Sequence, residues 1–257
     1  MPSLRSVATD PADPLAWMRE TVFAHRGLHG AGLAENSPSA FAAAIARGFG
    51  IECDIRKSRN GRAIVFHDET LERLTDQTGP MGALGVGDLT AIRLKGSADT
   101  IPTLRDLLEQ VGGTVPLLLE IKSDGVRPIS PLCRAVAGDL EGYRGPVAVM
   151  SFDPRVSAWF AKKHPAIPHG LVATEQDRRT LLDALRRRIA IAESRAQFLA
   201  WDIRDLPSRL VERHRKRGKP VLTWTVRDRM QWDTARACHA APIAEGPVLE
   251  NRGAALT

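Results

Sequence analysis

The chain is poor in cysteine, with only Cys53, Cys133 and Cys238 in 257 residues. An odd count without metal-type CxxC spacing argues against a disulfide framework and fits reduced thiols. Aromatic residues are also scarce, at 5% with a single tyrosine. No run approaches the roughly 18 apolar residues of a membrane-spanning helix. The opening stretch, "MPSLRSVATDPADPLAWMRE", has neither a basic start nor a continuous apolar segment. It does not read as a secretory leader. These absences lead to the expectation of a soluble, cytoplasmic protein without stable membrane insertion.

What the chain has is positive charge, +6 at neutral pH with a pI near 9.6. Much of it lies in "DRRTLLDALRRR" and "RHRKRGK". These read as the wet face of an amphipathic helix and as a helix end running into a turn. No aromatic-studded motif accompanies them, so nucleic acid is not an expected partner. A composition 43% hydrophobic and 26% charged is ordinary for a globular chain. The length allows one large α/β domain or two small ones, and we read residues 1–257 as a single domain. Nothing in the sequence sets an oligomeric state.

Short apolar runs alternate with helical patterns, which argues for a parallel sheet with helices outside it. The runs are "TVFAHRG", "GIECDI", "AIVFHD", "PLLLEIK", "PVAVMSF", "IPHGLVA", "FLAWDI", "PVLTWTV" and "PIAEG". Only "SRNGR" separates the second from the third, too little for a parallel crossover, and its Asn-Gly signals a hairpin. Removing the return arm leaves eight parallel strands, the number of a (β/α)8 TIM-type barrel; an open doubly wound sheet is the alternative. With the turn centred near Asn60, facing residues have numbers that sum to about 120. His67 is thereby carried back beside Cys53, between Glu52 and Asp54. Residues 69–101 break the rhythm and read as an insertion capping the C-terminal face of the barrel.

Carboxylates interrupt the strands. Glu52 and Asp54 lie two apart on one strand face, and Glu120 interrupts "VPLLLEIKS". Neighbouring buried carboxylates repel, so a cation is wanted. An all-oxygen set suits a hard divalent ion, Mg2+ or Ca2+. His25 and His67 each end an apolar strand, where barrel sites gather, and are cast as general acid and base. Arg26 and Lys122 would clamp a phosphate with that ion. His29, His164, His169, His214 and His239 sit in polar or loop contexts and receive no role.

The ordered set "AHRG", "ENSPSAFAAAIARG", "IECDIRKSRNGRAIVFHD", "LERLTDQTG", "IPTLRDLLE", "LLLEIK" and "LTWTV" resembles the glycerophosphodiester phosphodiesterases of the phospholipase-C-like superfamily. The match runs from about residue 22 to residue 228. The resemblance implies a (β/α)8 barrel that hydrolyses glycerophosphodiesters to glycerol 3-phosphate and an alcohol with one divalent metal ion. By motif it makes Glu52, Asp54 and Glu120 metal ligands and His25 and His67 the acid–base pair. Arg26 and Lys122 then meet the phosphate, Glu35 supports, and Trp224 meets the glycerol moiety. One departure is "PIAEGP", where Glu245 stands in place of the family's aspartate. A lysophospholipase D on the same barrel, or a phosphate-ligand binding protein without catalysis, are the competing readings.

Overall fold

A computed structural model describes residues 13–30, 32–176 and 180–250. Most of the stretch read for a leader, and the "DRR" of the first basic run, lie outside the described residues. Nine strands form among those described: β1 (Phe23–His25), β2 (Gly50–Lys57), β3 (Ala63–Val65), β4 (Leu117–Ile121), β5 (Val147–Ser151), β6 (His169–Ala173), β7 (Phe198–Asp202), β8 (Val221–Val226) and β9 (Ala241–Ala244). All but β3 join in one parallel ring in the order β1-β2-β4-β5-β6-β7-β8-β9. Phe23 and Ala24 pair with Ile243 and Ala244 to shut it. The eight-stranded barrel expected from the sequence is therefore present, and the open sheet is excluded.

Ten helices lie among the described residues. They are α1 (Ala16–Glu20), α2 (Pro38–Ala46), α3 (Val86–Thr90), α4 (Leu104–Val111), α5 (Ser130–Asp139), α6 (Pro154–Lys163), α7 (Leu181–Ser194), α8 (Arg209–Arg215), α9 (Arg229–Ala237) and α10 (Pro247–Glu250). Ser37 caps α2 by accepting from the Ala40 amide, with Pro38 at the first position, as its sequence dictates. The period-two alternation of β2 sorts its side chains. Ile51, Cys53 and Ile55 pack outward in one cluster with Phe41 of α2 and Leu104 of α4. Glu52 and Asp54 are left to the interior. Elsewhere the barrel is filled by Phe23, Leu118, Met150, Phe198 and Leu222, and Trp17 and Met18 of α1 join them. Because α1 leads into β1, it plugs the end away from the strand C-termini.

The hairpin has the expected register. Ile55, Arg56 and Lys57 pair antiparallel with Val65, Ile64 and Ala63, and the Phe66 amide donates to Asp54 O at 2.9 Å. The ladder stops there for a reason visible in the pairing. One edge of β2 is taken by β4 from Ile51 to Ile55, and on the other His25 of β1 already sits beside Glu52. The return arm must peel away after Phe66, so His67 turns over the mouth instead of facing Cys53. The insertion follows at once and builds a small core of its own from Leu71, Met81, Leu89, Leu94 and Ile101 against Ile64 and Phe66.

Two readings need correction. His169 and His214 do not sit in polar or loop contexts but are buried, at 3% and 6% exposure, the first on β6 and the second on α8. In α7 the large apolar residues Leu182, Leu185 and Ile189 are exposed along with Arg186, so the wet face is mixed rather than purely charged.

Candidate active site

The acids meet at the C-terminal end of the ring. Asp54 and Glu120 occupy the same level of adjacent parallel strands, and Glu52 lies one inward position below. All three are buried. An oxygen of each lies within 4.8 Å of the others. Burial, followed by the charges of Asp54 and Glu120, pushes the Glu52 carboxyl well above its ordinary range. Burial likewise raises Glu120. Asp54 goes the other way: burial would raise it, but Lys122, Arg26 and His67 outweigh that and hold it low. The local cations satisfy one carboxylate fully and leave an oxygen-rich, strained remainder, the donor chemistry a hard divalent ion neutralises. These residues fit such an ion.

The cations arrive from two strands. Lys122 Nζ lies 2.8 Å from Asp54 Oδ1 and 2.5 Å from Glu120 Oε1. Arg26 sits in the left-handed region at φ 56°, a conformation that costs a side chain about 1–2 kcal/mol. In that pose its amide donates to Glu52 Oε2 at 3.1 Å and its Nε lies 3.3 Å from Asp54 Oδ2. Its other face donates to Glu35 Oε1 at 2.6 Å. Gly27 continues the turn at φ 78°, where a Cβ would come within 3.0 Å of Ala40 and Phe41; α2 can approach only because it is glycine.

Both histidines are backed by carboxylates. His25 Nδ1 contacts Glu245 Oε2, while its Nε2 lies 3.9 Å from Glu52 Oε2. His67 Nδ1 is 2.6 Å from Asp68 Oδ1. A carboxylate only accepts, so Nδ1 carries the proton in each ring and Nε2 keeps its lone pair. Burial lowers the pKa of both, and the carboxylates only partly restore it. Neutral imidazoles therefore flank the triad at neutral pH.

Several partners were not legible in the sequence. Asn36, also left-handed at φ 54°, donates from Nδ2 to Asp54 Oδ2 at 2.9 Å and accepts from the Asp54 amide at 3.3 Å. Its signal was its place in "ENS" beside Glu35. Arg73, in the insertion, ties Asp68 to Glu35 with bonds of 2.5–3.0 Å. His29 Nε2 comes 3.4 Å from Glu245 Oε2. Trp224 stands across the ring on β8, its Nε1 donating to Ala200 O at 3.1 Å and its ring edge-on to Phe152 at 5.3 Å. It is brought to the mouth but contacts none of the acids. A cavity of about 530 Å³ opens beside Lys122 between the insertion and the β4–α5 loop, walled by Met81, Pro80, Ile129 and Leu132 with Arg56 and Glu69.

A model of the glycerophosphoryl diester phosphodiesterase family matches residues 25–244, from the first histidine to the last barrel strand. The chain belongs to this family. A glycerophosphodiester phosphodiesterase from Caldanaerobacter subterraneus subsp. tengcongensis is 32% identical over 114 residues, 41% of this chain and 46% of that protein. One from Bacillus altitudinis is 36% identical over 113 residues, 39% of this chain and 44% of that protein. The chain thus spans under half the length of either relative. Among solved structures, an Oleispira antarctica phosphodiesterase in complex with the product sn-glycerol-3-phosphate superposes with a TM-score of 0.75. It is 22% identical and covers 88% of this chain and 92% of its own. A glycerophosphodiester phosphodiesterase from Thermotoga maritima follows at 0.70 and 24%, covering 88% and 93%. At these identities the structures establish the barrel that the family shares.

Proposed function

We propose that this chain, acting as one domain, hydrolyses glycerophosphodiesters to glycerol 3-phosphate and an alcohol, using one Mg2+ or Ca2+ ion. The observation that carries this reading is the placement of two neutral, carboxylate-backed imidazoles against a buried triad of acids. Glu52, Asp54 and Glu120 would hold the ion. When bound, it would supply Lewis-acid neutralisation of charge on a phosphate oxygen. Arg26 and Lys122 share the remaining phosphate charge and keep Asp54 ionised. One imidazole, neutral, takes the nucleophile's proton at Nε2; the other must first take up a proton from solvent at Nε2, and it passes that proton to the leaving alkoxide. Glu245 and Asp68 hold the Nδ1–H of each ring, so that Nε2 is the nitrogen that exchanges protons. Glu35 fixes Arg26 and, through Arg73, Asp68. Trp224 offers an aromatic wall to the glycerol moiety. The Oleispira neighbour, which holds glycerol 3-phosphate, supports the substrate class.

The apolar wall of the cavity beside Lys122 favours a second reading, a lysophospholipid whose larger alcohol side lies there. Release of glycerol 3-phosphate from glycerophosphocholine, compared with turnover of lysophosphatidylcholine, separates the two. Turnover should vanish in EDTA and return with Mg2+ or Ca2+. Full activity in chelator, on protein shown to be metal-free, sinks the metal assignment.

A further inference from the structure

Outside the acid triad, the described residues contain a second convergence of ligand atoms: His25, His29 and Glu245. His25 Nδ1 touches Glu245 Oε2, and His29 Nε2 lies 3.4 Å from the same oxygen. His29 Nε2 is shielded from solvent, and its contact with Glu245 at 3.4 Å is longer than a well-formed hydrogen bond. A buried polar atom that is only weakly satisfied is costly, so a ring nitrogen held loosely against a carboxylate in this way is poised for a further partner.

The three ligands come from both ends of the barrel chain. His25 closes β1 and His29 follows the Gly27 turn. Glu245 is placed by the β1–β9 pairing, in which Ala24 opposes Ala244. Arg227 Nε donates to the other oxygen of Glu245 at 2.7 Å, turning Oε2 toward the histidines. Ligating carboxylates are commonly oriented by such outer bonds. Two imidazoles and one carboxylate form a softer set than three carboxylates, and suit Zn2+ or a similar late first-row ion.

We propose that His25, His29 and Glu245 form a second metal site, selective for Zn2+-type ions over Mg2+, that holds the protein inactive when filled. His25 joins the two sites: Nδ1 serves the second metal and Nε2 faces the triad. With the site empty, Nδ1–H donates to Glu245 and Nε2 has a lone pair. An ion bound at Nδ1 uses that nitrogen's lone pair, and the ring's single proton moves through solvent to Nε2. The ring then cannot accept a proton at Nε2, and donating one would leave an imidazolate. Either duty is blocked. This inhibitory step rests on the proposed role of His25, but binding does not.

Protein saturated with Mg2+ should be titrated with Co2+, whose ligand-field bands report a low-coordinate nitrogen and oxygen site, and assayed against Zn2+. We expect visible bands in the unmodified protein and their loss in His29→Ala and His29→Gln. Half-inhibition by Zn2+ should need at least about tenfold more ion in both variants, the scale of losing a metal contact. Their rate in Mg2+ alone should be unchanged. Glu120→Gln should lose turnover and keep the bands. The site is overturned by absent bands in the unmodified protein, or by bands that survive His29→Ala and disappear in Glu120→Gln. Bands that depend on His29, in protein that hydrolyses no phosphodiester, would uphold the site and defeat the catalytic reading.

Discussion

Burial and carboxylate pairing pull His25 and His67 in opposite directions, and burial prevails. Both rings keep an accepting Nε2 at neutral pH, as a proton shuttle needs. His25→Ala and His67→Ala should each lower turnover by at least about two orders of magnitude, the scale of general acid–base groups. Circular dichroism should be unchanged. A near-normal rate in either variant removes the two-histidine mechanism. His214 allows a test away from the site. Burial, with Lys219 and Arg217 nearby, takes its pKa from 6.5 down to about 4. The unfolded chain therefore takes up this proton first as pH falls, and stability declines between those two values. At about 1.36 kcal/mol per unit the loss approaches roughly 3 kcal/mol at the acid end. His214→Leu should flatten that part of the stability–pH curve in urea titrations; an unaltered slope means another group carries it. At this scale the acids were legible because a charge inside an apolar strand has few uses. Asn36 and Arg73 were not, because each acts through a loop whose path depends on packing remote in sequence.

The hairpin between β2 and β3 was readable from five residues. Asn-Gly limits the turn geometry, and alternation fixes which face each side chain takes. The point where the ladder breaks was not readable, since it depends on β1 arriving from another part of the chain. Gly61 holds the turn at φ 84° with nothing within 4 Å of where a Cβ would stand. Only backbone strain then opposes substitution there. Gly61→Ala should cost about 1–2 kcal/mol, and Gly61→Asn less, because asparagine tolerates this region better. Equal denaturant midpoints for the two variants would contradict this. The insertion between Glu69 and Ile101 follows a different rule. Its core was hidden by weak periodicity, yet it supplies Arg73, which locks Asp68 behind His67.

For the molecule as a whole, the acid triad is a fault in an otherwise apolar barrel, and a bound cation should repair it. An ion at about one hundred times its Kd adds about 2.7 kcal/mol. For a chain of this size that raises Tm by roughly 5–10 °C. Mg2+ or Ca2+ added to chelated protein should give such a shift, and Glu52→Gln should abolish it. A flat response argues that Lys122 and Arg26 already suffice. No helix of the described residues is long and apolar enough to cross a membrane. Ring closure through β1 and β9 also bears on biosynthesis. The acids and His67 lie in the first half of the chain, but Glu245 reaches His25 only once the last strand has docked. A ribosome-bound chain can therefore gather its three acids early, while the first histidine waits for its carboxylate until translation has passed β9.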